Sequence, residues 1–311
     1  MRLHVEGWAP EYGAAVEHDD QLTPAEGSVD VTVEDRPWEP IPGADDGVER
    51  VAFVDGVRRV DARLLLDADT GPVAGLCASY GVGAVVWDRR VPRSEVVDAT
   101  VGRVAVLGSG QAPTLPPLGG GLAYKPVSVP DDDPASLISA VHDAMRRAEA
   151  RLAEQLAGDG LFVVADGPLY EYAPGDKIGY VKSHRRTYLT GDEAGIVGLL
   201  PAGHRSPLFT IGEGGYRRYS WYLRLADRGA GHSWAGIVRC EASAGLDRER
   251  VSLIADRCAA VLPTVGSEPH IDPRAPQNLV PIAALERHLR HLLGDAGLVL
   301  RSLRSALAAA A

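Results

Sequence analysis

The chain has 311 residues, 45% of them hydrophobic, which is enough for one large domain or two smaller ones around a buried core. Its net charge of −10 is concentrated in residues 1–50, where 13 Asp and Glu face three Arg, so the acidic average does not exclude a basic surface for nucleic acid elsewhere. Apolar runs are too short to span a bilayer, the start lacks a basic-then-apolar leader pattern, and Cys77, Cys240 and Cys258 fit neither a disulfide framework nor a zinc spacing. The expected setting is a reducing cytoplasm with no membrane association.

Residues 1–48 are acidic and rich in Gly and Pro, with one strand candidate at 29–34; they are expected to form an irregular, loosely packed arm before a main body at 49–311. VAFVDGV, RRVDARLLLD and VAGLCASYGVGAVVWD predict an antiparallel meander with a turn at 67–71, and VGRVAVLGS (101–109) predicts a further strand. A Pro- and Gly-rich loop fills 111–134. Ile138, Val141, Met145, Ala148, Leu152 and Leu156 then recur at helical spacing, with Gly158 as a terminator. Strands are expected at 161–167, 178–189, 219–225 and 234–241, a helix at about 247–262, and a last helix from near Pro281 with a break at 294–297.

Two of these strands, VAFVDG (51–56) and LFVVADG (161–167), end in Asp-Gly. An apolar run closing on a carboxylate presents an acid at the carboxyl edge of a sheet, where sites of open α/β sheets collect. The glycine after each acid would let the backbone turn and leave room for a ligand. Glu149 sits on the border of the apolar helical stripe, at about 100° per residue, and can look into a cleft. Asp55, Glu149 and Asp166 together could hold a divalent cation, which points to phosphodiester chemistry. The plainer alternative makes both aspartates hairpin-turn residues. Lys182 is either a solvated strand charge or a cation that offsets a phosphate.

Between 216 and 224, aromatic residues alternate with arginines. A strand there places Tyr219, Trp221 and Leu223 on one face, with Arg218, Ser220, Tyr222 and Arg224 on the other. Seven of the ten tyrosines lie between 170 and 222, near Lys182, Arg185 and Arg186. Bases stack on aromatics and phosphates pair with arginines, so Arg185, Arg186, Arg217, Arg218, Tyr219, Trp221 and Arg224 suit single-stranded nucleic acid. The competing reading is a half-buried strand with a polar face. His288 and His291 are one helical turn apart but lack further metal-ligand companions.

VAFVDG, Glu149 followed by VVADG, GYVKSH and the C-terminal NLVPIAALERH resemble the NurA family of DNA-end-processing nucleases, over about residues 48–295. The resemblance implies an α/β fold with an RNase H-like mixed sheet flanked by helices. It implies Mn²⁺ or Mg²⁺, a homodimer, and work on DNA beside a HerA-type hexameric ATPase in DNA repair. Carried over by position, it makes Asp55, Glu149 and Asp166 metal ligands and Lys182 a catalytic basic residue. Val57 and Pro168 stand where the family usually has Ser after Asp-Gly. Glu286 stands where the family carries a ligand histidine, with His288 two residues on; glutamate also ligates Mn²⁺ or Mg²⁺, so Glu286 joins the candidate set. These departures keep a second reading open, a catalytically weak or inactive RNase H-like DNA-binding protein that regulates a HerA-type ATPase. A small-molecule phosphohydrolase, for which the Tyr/Arg strand would be incidental, is a third.

Overall fold

The computed structural model describes residues 28–69, 71–91, 93–169, 174–182, 186–213, 217–227, 233–268, 270–271 and 275–310, together with the short strands at 2–5 and 23–24; of 2–5, 23–24 and 186–187 it describes the backbone alone. Four short strands come first: β1 (Arg2–Val5), β2 (Thr23–Pro24), β3 (Val29–Asp30) and β4 (Ile41–Pro42). Then follow β5 (Arg50–Ala68), β6 (Gly71–Asp88), β7 (Arg93–Leu107), β8 (Lys125–Ser128), α1 (Pro134–Gly158), β9 (Phe162–Asp166) and β10 (Lys177–Val181). The C-terminal half holds β11 (Arg186–Thr187), α2 (Gly191–Leu199), β12 (His204–Arg205), β13 (Phe209–Ile211), β14 (Arg218–Arg224), β15 (Ile237–Ser243), α3 (Arg248–Val261), α4 (Val280–Leu292) and α5 (Ala296–Ala309).

The expected meander forms, with longer strands than the sequence suggested. VAFVDGV and RRVDARLLLD are one 19-residue strand, β5, interrupted by a bulge between Val60 and Ala62 that re-aims the chain without ending it. β5 pairs antiparallel with β6, and β6 pairs antiparallel with β7. After the α1 crossover, β9 returns parallel to β5, and β10 lies parallel to β9. The resulting order, β7-β6-β5-β9-β10 with only β6 reversed, is the RNase H-like mixed sheet the resemblance implied. β15, β14, β13 and β3 extend it on the β10 side, for thirteen strands in one sheet among the described residues.

Helices cover both faces. α1 starts where Asp133 accepts hydrogen bonds from the backbone N–H groups of Ala135 and Ser136, with Pro134 at its first position. Its buried Leu152, Ala153 and Leu156 pack on Ala52, Val54, Ala84 and Val163. The opposite face, built from Phe53, Phe162, Val164, Tyr180 and Trp221, is covered by Ile254, Ala255 and Cys258 of α3 and Ile282 of α4. α4 and α5 are separated at Gly294, whose φ of +77° breaks the helix where the sequence predicted. No helix among the described residues is long and apolar enough to cross a membrane.

The expectation of a loosely packed arm is corrected for residues 28–48. Their backbone is irregular, but several of their acids are counterions for the body. Glu34 is paired with the fully buried Arg205 at 2.8 Å and also accepts from the Leu208 N–H and the Ser252 hydroxyl. Asp46 pairs with Arg257, and Asp45 with Arg89. Ile41 is buried and Trp38 packs on Phe209. An arginine withdrawn from water needs such partners, which accounts for the acidity of this stretch. α2, which the sequence reading did not anticipate, follows β11 and buries Val197.

Candidate metal centre

The parallel pairing of β5 with β9 places the first two acids. The register runs from Val51 opposite Phe162 to Val54 opposite Ala165; the next residues, Asp55 and Asp166, leave the ladder side by side. Phe53 and Val164, two residues earlier, face the α3–α4 core, so strand alternation turns both carboxylates the same way. Asp55 is therefore at the end of a shared ladder and in the middle of its own strand. α4 crosses this face on Leu285 and Leu289 and brings in the buried Glu286. Carboxylate oxygens of Asp55, Asp166 and Glu286 all lie within 4.8 Å of one another.

Glu149 arrives from the other face. Val54 packs under α1, so Gly56, two residues on, faces α1 as well. A Cβ at Gly56 would overlap Oε1 of Glu149 and stand 2.9 Å from Cγ of Met145. The two Asp-Gly pairs thus differ. Gly167 turns the chain with φ +91°, as expected, whereas Gly56 continues a strand and serves as the gap through which Glu149 approaches.

Electrostatics mark the centre as under-neutralised. Burial first, then the charges of Asp166 and Glu149, push the Asp55 carboxyl well above its usual range, against the pull of Lys182 and the Gly56 N–H. Burial, followed by Asp166, pushes Glu149 up to about 7, although part of its surface stays open to solvent. Asp55 Oδ1 accepts from the Gly56 N–H at 2.7 Å. Lys182 Nζ lies 2.7 Å from Asp166 Oδ2 and donates to Asn278 Oδ1 at 3.1 Å. Glu286 pairs with Arg290 one turn on, at 3.3 Å, while His288 points to solvent. Crowded carboxylates with one ammonium are a hard-oxygen donor set, suited to a small divalent cation.

Residues 49–290 match the NurA domain family. The chain belongs to the NurA nuclease family. Among solved structures, the NurA nuclease from Sulfolobus solfataricus is 12% identical, over 83% of this chain and 86% of that one, with a TM-score of 0.43. The catalytic domain of human Endonuclease V is 16% identical over 80% and 85%, with a TM-score of 0.33. The family match, and not these distant likenesses, carries the assignment. No curated protein matches the chain in sequence.

In this NurA-family chain the residues expected to hold nucleic acid are divided. Strand alternation in β14 is as expected, but both faces are covered. Trp221 is fully buried in the main core and offers no ring to a base; Tyr219 packs partly against the same core. Arg224 is buried and donates to the backbone carbonyls of Gly198 (3.1 Å) and Ser233 (2.6 Å), and to those of Leu200 and Ala235. It closes the end of α2 and the 233–235 turn. Arg218 pairs with the buried Glu241 at 2.8 Å, and among the candidates whose side chains are described only Arg217 is well exposed. Arg185 lies outside the described residues, as does the side chain of Arg186. Sequence reasoning missed Asn278, which stands in the NLVPIAALERH segment and reaches Lys182.

Proposed function

We propose that this chain is a divalent-metal-dependent deoxyribonuclease that hydrolyses phosphodiesters at DNA ends, in the cytoplasm, as a homodimer beside a HerA-type hexameric ATPase in DNA repair. The observation that carries the reading is the convergence of Asp55, Asp166 and Glu286, with Glu149 entering through the gap at Gly56.

The donor set fits Mn²⁺ or Mg²⁺: only oxygen ligands, mostly buried, with like charges that raise the cost of leaving the site without a cation. Asp55, Asp166 and Glu286 would hold the ion, and Glu149 would complete its surroundings. When bound, the cation supplies Lewis acidity toward the phosphate and lowers the pKa of water. The chain's own residues do the rest. Two carboxylates fixed on adjacent strands and one on a packed helix define where the phosphodiester must sit. Lys182, beside Asp166, offsets charge on the scissile phosphate. Arg217, exposed just before β14, would contact the phosphodiester backbone.

Besides the departures at Val57, Pro168 and Glu286, the inactive DNA-binding reading draws on the Glu286–Arg290 pair, which gives that carboxylate a use without metal. Cleavage of end-labelled DNA with Mn²⁺ separates the two. Metal-dependent products from the wild type, absent from Asp55→Ala, support the nuclease. DNA binding without cleavage at any Mn²⁺ concentration would support the alternative.

A further inference from the structure

The stretch leading into α4 is stitched to two residues of one face at the end of β10, Tyr180 within the strand and Lys182 just past it. Tyr180, fully buried, donates its hydroxyl to the Gln277 carbonyl at 2.7 Å. Two residues on, Lys182 donates Nζ to the side-chain carbonyl of Asn278 at 3.1 Å while lying 2.7 Å from Asp166. The Asn278 side chain is fully buried, and its backbone carbonyl accepts from the Ser267 N–H at 3.1 Å, which fixes the residue from the other side.

From this geometry we infer that Asn278 is a positioning residue for Lys182, an inference that rests on the nuclease reading of the site. Asp166 belongs to the carboxylate cluster, so a cation held there competes for the charge that pairs with Lys182. Asn278 is the second anchor, and it is neutral. It aligns the ammonium without cancelling its charge, so Lys182 stays available to a phosphate. A carboxylate at 278 would hold the same geometry and remove the charge. Asn278 is buried and does not touch substrate; it acts through Lys182.

A double-mutant cycle tests this, with Asn278→Ala, Lys182→Ala and the double variant compared with the wild type in single-turnover cleavage of end-labelled DNA with Mn²⁺. Asn278→Ala should slow cleavage about ten- to a hundredfold, leave the Mn²⁺ half-saturation concentration unchanged, and have almost no further effect in the Lys182→Ala background. Equal losses in both backgrounds, or a raised Mn²⁺ requirement, would mean that Asn278 merely supports α4 and would overturn the inference. If the Lys182→Ala rate falls below detection, DNA affinity in the same four proteins completes the cycle. A wild type that cleaves nothing overturns the nuclease reading itself, and this inference with it.

Discussion

Gly56 yields its side-chain space to the carboxylate of Glu149: a Cβ at residue 56 would overlap Glu149 Oε1. Its backbone is ordinary extended strand, so substitution there costs packing and no backbone strain. Gly56→Ala should destabilise the protein by about 1–3 kcal/mol through overpacking and raise the Mn²⁺ concentration needed for cleavage. Adding Glu149→Ala should recover part of the melting temperature, the close approach to Met145 remaining, and leave activity low. Thermal melts and Mn²⁺ titrations of the three variants check this, and a melting temperature that does not recover would place the clash elsewhere.

The raised Glu149 carboxyl makes a prediction about pH in the absence of metal. Its value of about 7 exceeds the ordinary 4.5, so between these pH values the native state holds a proton that the unfolded chain has released. The contribution of this group to stability is full below about 4.5 and is lost as pH rises through about 7. Glu149→Gln should therefore gain stability relative to the wild type as pH rises across that window, by on the order of 1–3 kcal/mol, since each unit is worth about 1.4 kcal/mol and partial exposure reduces the shift. Acids held low by arginine, such as Glu34, Asp46 and Glu241, act in the opposite direction but are common to both proteins. Melting temperatures in chelator from pH 4 to 9 give the difference directly; a constant offset would contradict it.

Trp221 fills the core between β14 and α3, so Trp221→Ala should cost about 3–5 kcal/mol of stability. The folded fraction should bind DNA as the wild type does. Binding titrations run below the lowered melting temperature check the point, and a selective loss of affinity would return Trp221 to the DNA surface.

Glu286 is buried beside Asp55 and the half-buried Asp166, whereas His288 is exposed. Glu286→Gln should raise the Mn²⁺ half-saturation concentration at least about tenfold, a size typical of lost metal-site contacts, and His288→Ala should be silent. The reverse pattern would place His288 in the role assigned here to Glu286.

How much of this could be read from the chain varies with the range of the interaction. Period-2 and helical patterns located the meander, α1 and the acid-ending β9, because each is written in near neighbours. Alternation also sorts the faces of β14 correctly, but it cannot tell a solvated face from a covered one: α3 covers Trp221, and α2 with the 233–235 turn covers Arg224, so neither is open to a ligand. α2 escaped notice because Gly191, Gly195 and Gly198 weaken any helical signal in nine residues. Glu34 and Asp46 read as part of a loosely packed arm because their partners, Arg205 and Arg257, lie more than 150 positions away. Glu286 could be aligned by position, yet its place beside Asp55 depends on how α4 lies across the sheet. Gly56 was read as a turn because the helix that needs its missing side chain begins almost eighty residues later.

In the proposed nuclease, Asp55, Asp166 and Glu286 share a divalent cation. Calorimetric titration of Mn²⁺ into the metal-free protein tests it most directly, with Asp55→Ala, Asp166→Ala and Glu286→Gln run alongside. Saturable binding by the wild type is expected, with loss or strong weakening in all three variants, each of which remains folded. Undiminished Mn²⁺ binding by any folded member of the set would contradict a shared site at this ladder end.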